Sequence, residues 1–216
     1  MDRTIGFWFD FSSPYSYIAS EWIGSLAARH GRRVRWHAIL LGVTFRAAEL
    51  KSPVAHPIKR EYSLRDFARS ARFEGLPYLM PLAFPIPTQN AARIFWWLRD
   101  TRGAEAAESW ARAGLRAVFT RGVDPSEAAA LRALAVEQHL DALARQQLAA
   151  RQVPGARRLA AAQRDLLEPG VELAHMLAHQ AAVGLEVRRA RIELGCQRRQ
   201  AGSPRATCCR SAAGRS

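Results

Sequence analysis

Phe9-Asp10-Phe11-Ser12-Ser13-Pro14-Tyr15-Ser16-Tyr17-Ile18 joins two different hydrophobic patterns. Upstream, Thr4–Asp10 (TIGFWFD) is short, apolar and aromatic, which predicts a buried strand. Downstream, Tyr17, Ile18, Trp22, Ile23, Leu26 and Ala27 recur at helical spacing as far as about His30, and Gly31 stops the helix. Serine followed by proline between them is a helix start. The hydroxyl caps free amides, and proline at the first helical position gives up no hydrogen bond. Val34–Leu41 (VRWHAILL) then predicts a second strand. The chain therefore opens β-α-β, a parallel pair with a right-handed crossover.

Beyond Gly42 the pattern turns helical. Leu64–Phe73 predicts a helix ended by Gly75 and Pro77, and a stretch with Pro77, Pro81, Pro85 and Pro87 follows. Thr88 or Asn90 caps a helix carrying Ile94, Phe95, Trp97 and Leu98. Glu105–Thr120 and Ser126–His139 are further helices, separated by Gly122 and Asp124-Pro125, and residues 142–151 continue as helix. The expected organisation is a β-α-β unit over 1–41, helices over 42–150, a divergent segment over 151–200 and a disordered tail over 201–216 (AGSPRATCCRSAAGRS).

Composition changes along the chain. All Phe, Trp and Tyr lie at or before Phe119. From Arg151 onward there are 12 Arg, no Lys and 5 acidic residues, so +7 of the chain's +13 lies there. Such a surplus is compatible with an acidic partner. Here the Arg residues are scattered and no aromatic interleaves with them, which argues against nucleic acid. No apolar run approaches the ~18 residues of a membrane span. The start Met1-Asp2-Arg3-Thr4 shows no signal-peptide pattern, so a cytoplasmic location is expected. Cys196, Cys208 and Cys209 fit neither a zinc pattern nor a disulfide framework, and no metal site is expected.

The strand-to-helix junction has chemistry of its own. Backbone amides and the helix dipole favour an anion at a helix N-terminus. Disulfide oxidoreductases place the first Cys of C-x-x-C there, and its pKa falls. In this chain Ser13-Pro14-Tyr15-Ser16 fills that frame with no sulfur. Disulfide exchange is thereby excluded. A serine hydroxyl can instead donate a hydrogen bond to a thiolate carried in by a ligand. Ser13 as a plain helix cap and Ser13 as a ligand contact are both compatible with these residues.

The order of short motifs extends the reading. Phe9–Tyr17 is followed by Leu40-Leu41-Gly42, Pro57-Ile58-Lys59, Gly75-Leu76-Pro77 and Phe84-Pro85. Together they resemble the 2-hydroxychromene-2-carboxylate isomerases, relatives of kappa-class glutathione transferases and of DsbA-type oxidoreductases. The resemblance covers residues 4 to about 145. It implies an α/β fold: a thioredoxin-like domain with an inserted all-helical domain. It also implies glutathione as cofactor, Ser13 as the catalytic residue activating its thiol, and Lys59 near a carboxylate of glutathione or substrate. Pro14, Tyr15, Phe84 and Trp97 would line the pocket of a small aromatic substrate, and a homodimer is expected. His37 is expected to be structural and Arg35 exposed, with at least one of Trp96 and Trp97 in the core. A Gly-Asn that the family often carries is replaced near Glu49-Leu50.

Two family features are not found: a G-x-P segment with a cis proline before the third strand, and a later Trp-Gly turn. Gln152-Val153-Pro154-Gly155-Ala156 suggests the first only superficially, because Arg157-Arg158 follow. The C-terminal part of the sheet is therefore expected to be missing or disrupted. A reading-frame shift between about residues 142 and 155 is one hypothesis for this; an intact frame on resequencing of independent isolates refutes it. Other readings are a transferase acting on other electrophiles, an inactive remnant, or a basic binding module.

Overall fold

In the computed structural model of the chain, the described residues are 4–140 and 155–167, and all of them fall in one compact unit spanning residues 1–173. Strand β1 (Thr4–Phe9) leads into helix α1 (Pro14–Arg29) and strand β2 (Arg33–Ala38). The strands pair in parallel, from Thr4 opposite Arg33 to Phe9 opposite Ala38. The expected opening is thus present. It forms a two-stranded sheet among the described residues.

Strand β2 stops earlier than expected. Ile39 still donates to the Phe9 carbonyl at 2.9 Å, but the next two amides turn to side chains. Leu40 N–H donates to Gln163 Oε1 at 2.9 Å and Leu41 N–H to Asp10 Oδ2 at 2.6 Å. A run of apolar residues predicts strand well, but it does not reveal acceptors that arrive from elsewhere in the chain. The backbone instead enters α2 (Leu41–Ala47).

Helix α3 (Pro57–Phe73) begins seven residues before the predicted Leu64. Its start signal is His56, whose Nδ1 accepts from Lys59 N–H at 3.4 Å, with Pro57 at the first helical position. Helices α4 (Gln89–Arg102), α5 (Ala104–Arg121) and α6 (Ala128–Glu137) match the expected ones to within two or three residues. Helix α7 (Ala156–Leu167) lies in the segment read as divergent. The predicted helix over 142–151, the tail over 201–216 and Cys196, Cys208 and Cys209 lie outside the described residues.

The core is aromatic. Phe7 and Phe9 pack edge-on to Trp36, and Phe9 meets Phe95 of α4 with ring centroids 5.3 Å apart. Two indoles tie layers together: Trp96 Nε1 donates to the Ala38 carbonyl at 2.9 Å, and Trp110 Nε1 to the Ala91 carbonyl at 3.1 Å. Trp96 is therefore a core residue, as at least one of the pair was expected to be. Leu159, Ala162, Gln163 and Leu166 form the buried stripe of α7, which packs against α4, α2 and β2. Gly155, with φ of 90°, lets the start of α7 approach α4: a Cβ there would lie 2.2 Å from the Arg93 carbonyl oxygen.

Candidate functional site: the mouth of helix α1

The site begins where β1 ends. Ser13 has extended dihedrals (φ −95°, ψ 114°) and caps α1; its Oγ accepts from Ser16 N–H at 3.2 Å. Its own N–H donates to the Asp10 carbonyl at 3.0 Å. Pro14 holds the first helical position. Of the first-turn amides, proline has none and Ser16 is capped. That leaves the Tyr15 N–H, at the second helical position, with no intrahelical acceptor. The Ser13 oxygen acts only as an acceptor in these bonds, so its proton remains to be donated.

Asp10 organises this mouth and was not among the residues singled out by sequence. It is 3% exposed. Its Oδ1 accepts from Ser12 N–H at 2.8 Å, Ser12 Oγ at 2.9 Å and Thr88 Oγ1 at 2.8 Å, and its Oδ2 from Leu41 N–H. Its backbone N–H donates to Ser16 Oγ at 3.4 Å. One carboxylate thus links the end of β1, the turn before α1, the start of α2 and the residue before α4. A carboxylate flanked by two phenylalanines beside Ser-Ser-Pro was the available signal.

Tyr15 leaves the mouth sideways. Its hydroxyl donates to Asp66 on α3, and its ring meets Phe67 edge-on at 5.0 Å. Burial, reinforced by the hydrogen bond to Asp66, raises the phenol pKa. The neutral phenol is thereby committed to Asp66 rather than to a ligand. Asp66 also pairs with Arg69, which reaches over the Tyr62 ring.

Lys59 is exposed on the first turn of α3. It stands two turns before Asp66, so the two share a stripe of α3 about 10 Å apart along the axis. Tyr62 lies between them. Lys59 therefore stands on the helix that meets α1, two turns from the Tyr15–Asp66 bond. Phe84 is half-buried in the segment before α4, joined to Pro85 by a cis peptide bond. That segment runs beside α1, because Tyr17 Oη donates to the Pro77 carbonyl at 2.8 Å and Thr88 bonds Asp10. Trp97 is partly buried on α4, whose backbone at this residue faces the start of α7. Ser13, Pro14 and Tyr15 are contiguous, and Phe84 lies four residues before Thr88, whose hydroxyl bonds Asp10. No contact places Trp97 with this group.

His37 stacks on Trp8 at 4.2 Å, away from the mouth; burial, with Arg99 and Arg35 nearby, lowers its pKa to about 4. Arg35 is exposed, as expected. Glu49 has φ of 54°, a left-handed conformation that suits glycine better than glutamate. Among the described residues no group of His, Cys, Asp and Glu forms a metal site, and no helix is long and apolar enough to cross a membrane.

A strand–turn–helix with a polar residue at the helix mouth and a parallel partner strand is the core of a thioredoxin-like protein. Residues 4–164 match the DSBA-like thioredoxin domain, and the chain belongs to that family. Within it, the chain is similar to proteins named 2-hydroxychromene-2-carboxylate isomerase. One from Sphingobium xenophagum is 30% identical over 144 residues, covering 66% of this chain and 71% of the relative. One from Pseudomonas putida is 30% identical over 124 residues, covering 56% of this chain and 58% of the relative. Glutathione S-transferase kappa 1 of Caenorhabditis elegans is 32% identical over 81 residues, 37% of this chain and 36% of its own length. A solved structure of a 2-hydroxychromene-2-carboxylate isomerase superposes with a TM-score of 0.65 over 88% of this chain and 98% of its own. At 21% identity that likeness supports the fold alone.

Proposed function

We propose that the chain is a glutathione-dependent isomerase of the 2-hydroxychromene-2-carboxylate type, acting in the breakdown of aromatic compounds. One observation carries the reading. The N-cap hydroxyl at the mouth of α1, Ser13, keeps an uncommitted proton in a motif without sulfur; Ser16 Oγ, which also only accepts, is turned inward onto the Asp10 N–H and is 2% exposed. Ser12 is spent on Asp10 and Tyr15 on Asp66. A site of this kind stabilises a thiolate it does not itself own. Glutathione fits it, because its thiol finds there a hydroxyl donor, the Tyr15 amide and the positive end of a 16-residue helix.

When bound, glutathione supplies a nucleophilic sulfur that can add to a conjugated alkene and later leave, so that rotation about the bond becomes possible. The chain's part is to hold that sulfur ionised: Ser13 donates to it, and the helix mouth lowers the cost of the charge. Lys59, on α3, is the candidate partner for a carboxylate of glutathione or substrate. Pro14 and Phe84 supply apolar surface beside the sulfur. The likeness to a kappa-class transferase supports a second reading, thiol transfer to other electrophiles, which a panel of electrophiles measured beside the chromene carboxylate separates.

The test is binding of reduced glutathione to the full chain, with the thiolate absorbance followed against pH. Bound thiol should ionise below its usual ~8.5 in the native chain and in Ser12→Ala, and near that value in Ser13→Ala. Binding with equal thiol ionisation in Ser13→Ala refutes the assignment. Absence of binding by folded protein refutes the function.

A further inference from the structure

The two adjacent serines are chemically identical, yet the fold treats them differently. Ser12 Oγ donates to Asp10 Oδ1 at 2.9 Å, whereas Ser13 Oγ accepts from Ser16 N–H and donates to nothing. We propose that Asp10 is the positioning residue of the thiol site: its carboxylate takes Ser12 out of the chemistry and fixes the turn that presents the Ser13 proton. This rests on the reading of the helix mouth as a thiol site.

The geometry supports a positioning role in three ways. First, the hydrogen bonds converge on the turn. Four donors hold the carboxylate: Ser12 N–H, Ser12 Oγ and Thr88 Oγ1 on Oδ1, and Leu41 N–H on Oδ2. Gripped at both oxygens, the buried group is fixed in place and keeps the turn in register. Second, the backbone of Asp10 joins in: its carbonyl accepts from Ser13 N–H and its N–H donates to Ser16 Oγ, the residue whose own amide Ser13 caps. Asp10, Ser13 and Ser16 are therefore one closed loop of hydrogen bonds. Third, the anchors are remote in sequence. Thr88 stands in the N-cap position of α4 but makes no side-chain cap there, and its hydroxyl goes to Asp10 instead. A hydroxyl that leaves its own helix uncapped to reach a residue 78 positions earlier couples the segment carrying Phe84 to the serine turn.

Asparagine at position 10 keeps the shape but offers an NH₂ where one donor now points, so at least one of the four bonds must fail. Thr88→Val removes one donor at nearly constant volume. The experiment measures the ionisation of bound glutathione thiol against pH in the full chain, for native protein, Ser12→Ala, Ser13→Ala, Asp10→Asn and Thr88→Val. Each is assayed at a temperature where circular dichroism shows it folded. The expected result is that Asp10→Asn raises the bound-thiol pKa by about one unit, a tenfold loss of thiolate at neutral pH, while affinity changes less than about threefold. Thr88→Val and Ser12→Ala, each of which removes one of the four donors, should shift it in the same direction by less. Asp10→Asn or Thr88→Val that is folded but ionises bound thiol as the native protein does overturns the proposal, even if its melting temperature falls. If Asp10→Asn does not fold, Thr88→Val alone decides. If native protein and Ser13→Ala ionise the thiol alike, the thiol-site reading itself has failed, an outcome separate from the role of Asp10.

Discussion

Replacing Gly114 by alanine sets two effects against each other at one atom. Gly114 lies inside α5, where alanine is favoured over glycine by about 1 kcal/mol. A Cβ there, however, would sit 2.6 Å from Phe11 Cε1 and 3.0 Å from Phe11 Cδ1, with Leu134 Cδ2 at 3.8 Å behind. Phe11 is fully buried, and its ring stands edge-on to Phe9 at 5.3 Å, so it has no free space to move into. Overpacking a tight core costs about 1–3 kcal/mol, so the clash outweighs the gain in propensity. The net expectation is a loss of about 1 kcal/mol, and at most about 2, in Gly114→Ala, or a few degrees in Tm for a chain of this size. Urea unfolding measures it, with Gly42→Ala as control, because nothing lies within 4 Å of a Cβ at Gly42. In a Phe11→Leu background the penalty should shrink by about 1 kcal/mol, the coupling that marks a direct contact. Since Phe11 immediately precedes Ser12-Ser13, the displaced ring should also weaken glutathione binding. Gly114→Ala as stable as the native chain, or more so, refutes the reasoning.

Three further expectations follow from named contacts. Gln163→Leu should destabilise by about 1–2 kcal/mol, because Leu40 N–H loses its acceptor and Thr44 Oγ1 the donor that α7 provides; amide exchange at Leu40 should quicken more than at Phe9. His37 has a folded-state pKa of about 4, below the usual 6.5, so the unfolded chain binds a proton first on acidification. Its contribution to stability is therefore present above pH 6.5 and is lost as the pH falls toward 4, by about 1–2 kcal/mol after allowing for its partial exposure; His37→Gln should lack this dependence, so the native-minus-variant difference should fall by that amount over the window. Tyr15→Phe should cost about 1 kcal/mol by leaving Asp66 without the phenol, yet leave thiol ionisation intact; a large rise in thiol pKa would show that the phenol serves the ligand after all.

Much of this molecule is legible in local sequence. The strand before Ser13, the helix after it and the parallel strand beyond are written in short-range periodicity and in the Ser-Pro junction, which needs only neighbouring residues to act. Ser13 as the residue at the helix mouth follows from the same signals. One departure falls where a distant group intervenes. The apolar run Val34–Leu41 predicts strand throughout, and nothing in it hints that Gln163 and Asp10 take the Leu40 and Leu41 amides. The start of helix α3 differs for a local reason: His56 caps it and Pro57 opens it, seven residues before Leu64.

By itself, the sequence determined that a sulfur-free serine turn opens a helix on a parallel sheet, because strand periodicity, capping and proline geometry act within a few residues. Only the tertiary structure decided that Ser12 donates its proton and the neighbouring Ser13 does not. That choice belongs to a buried carboxylate whose donors come from positions 12, 41 and 88, and only the packing of β1, α2 and α4 brings them within hydrogen-bonding distance.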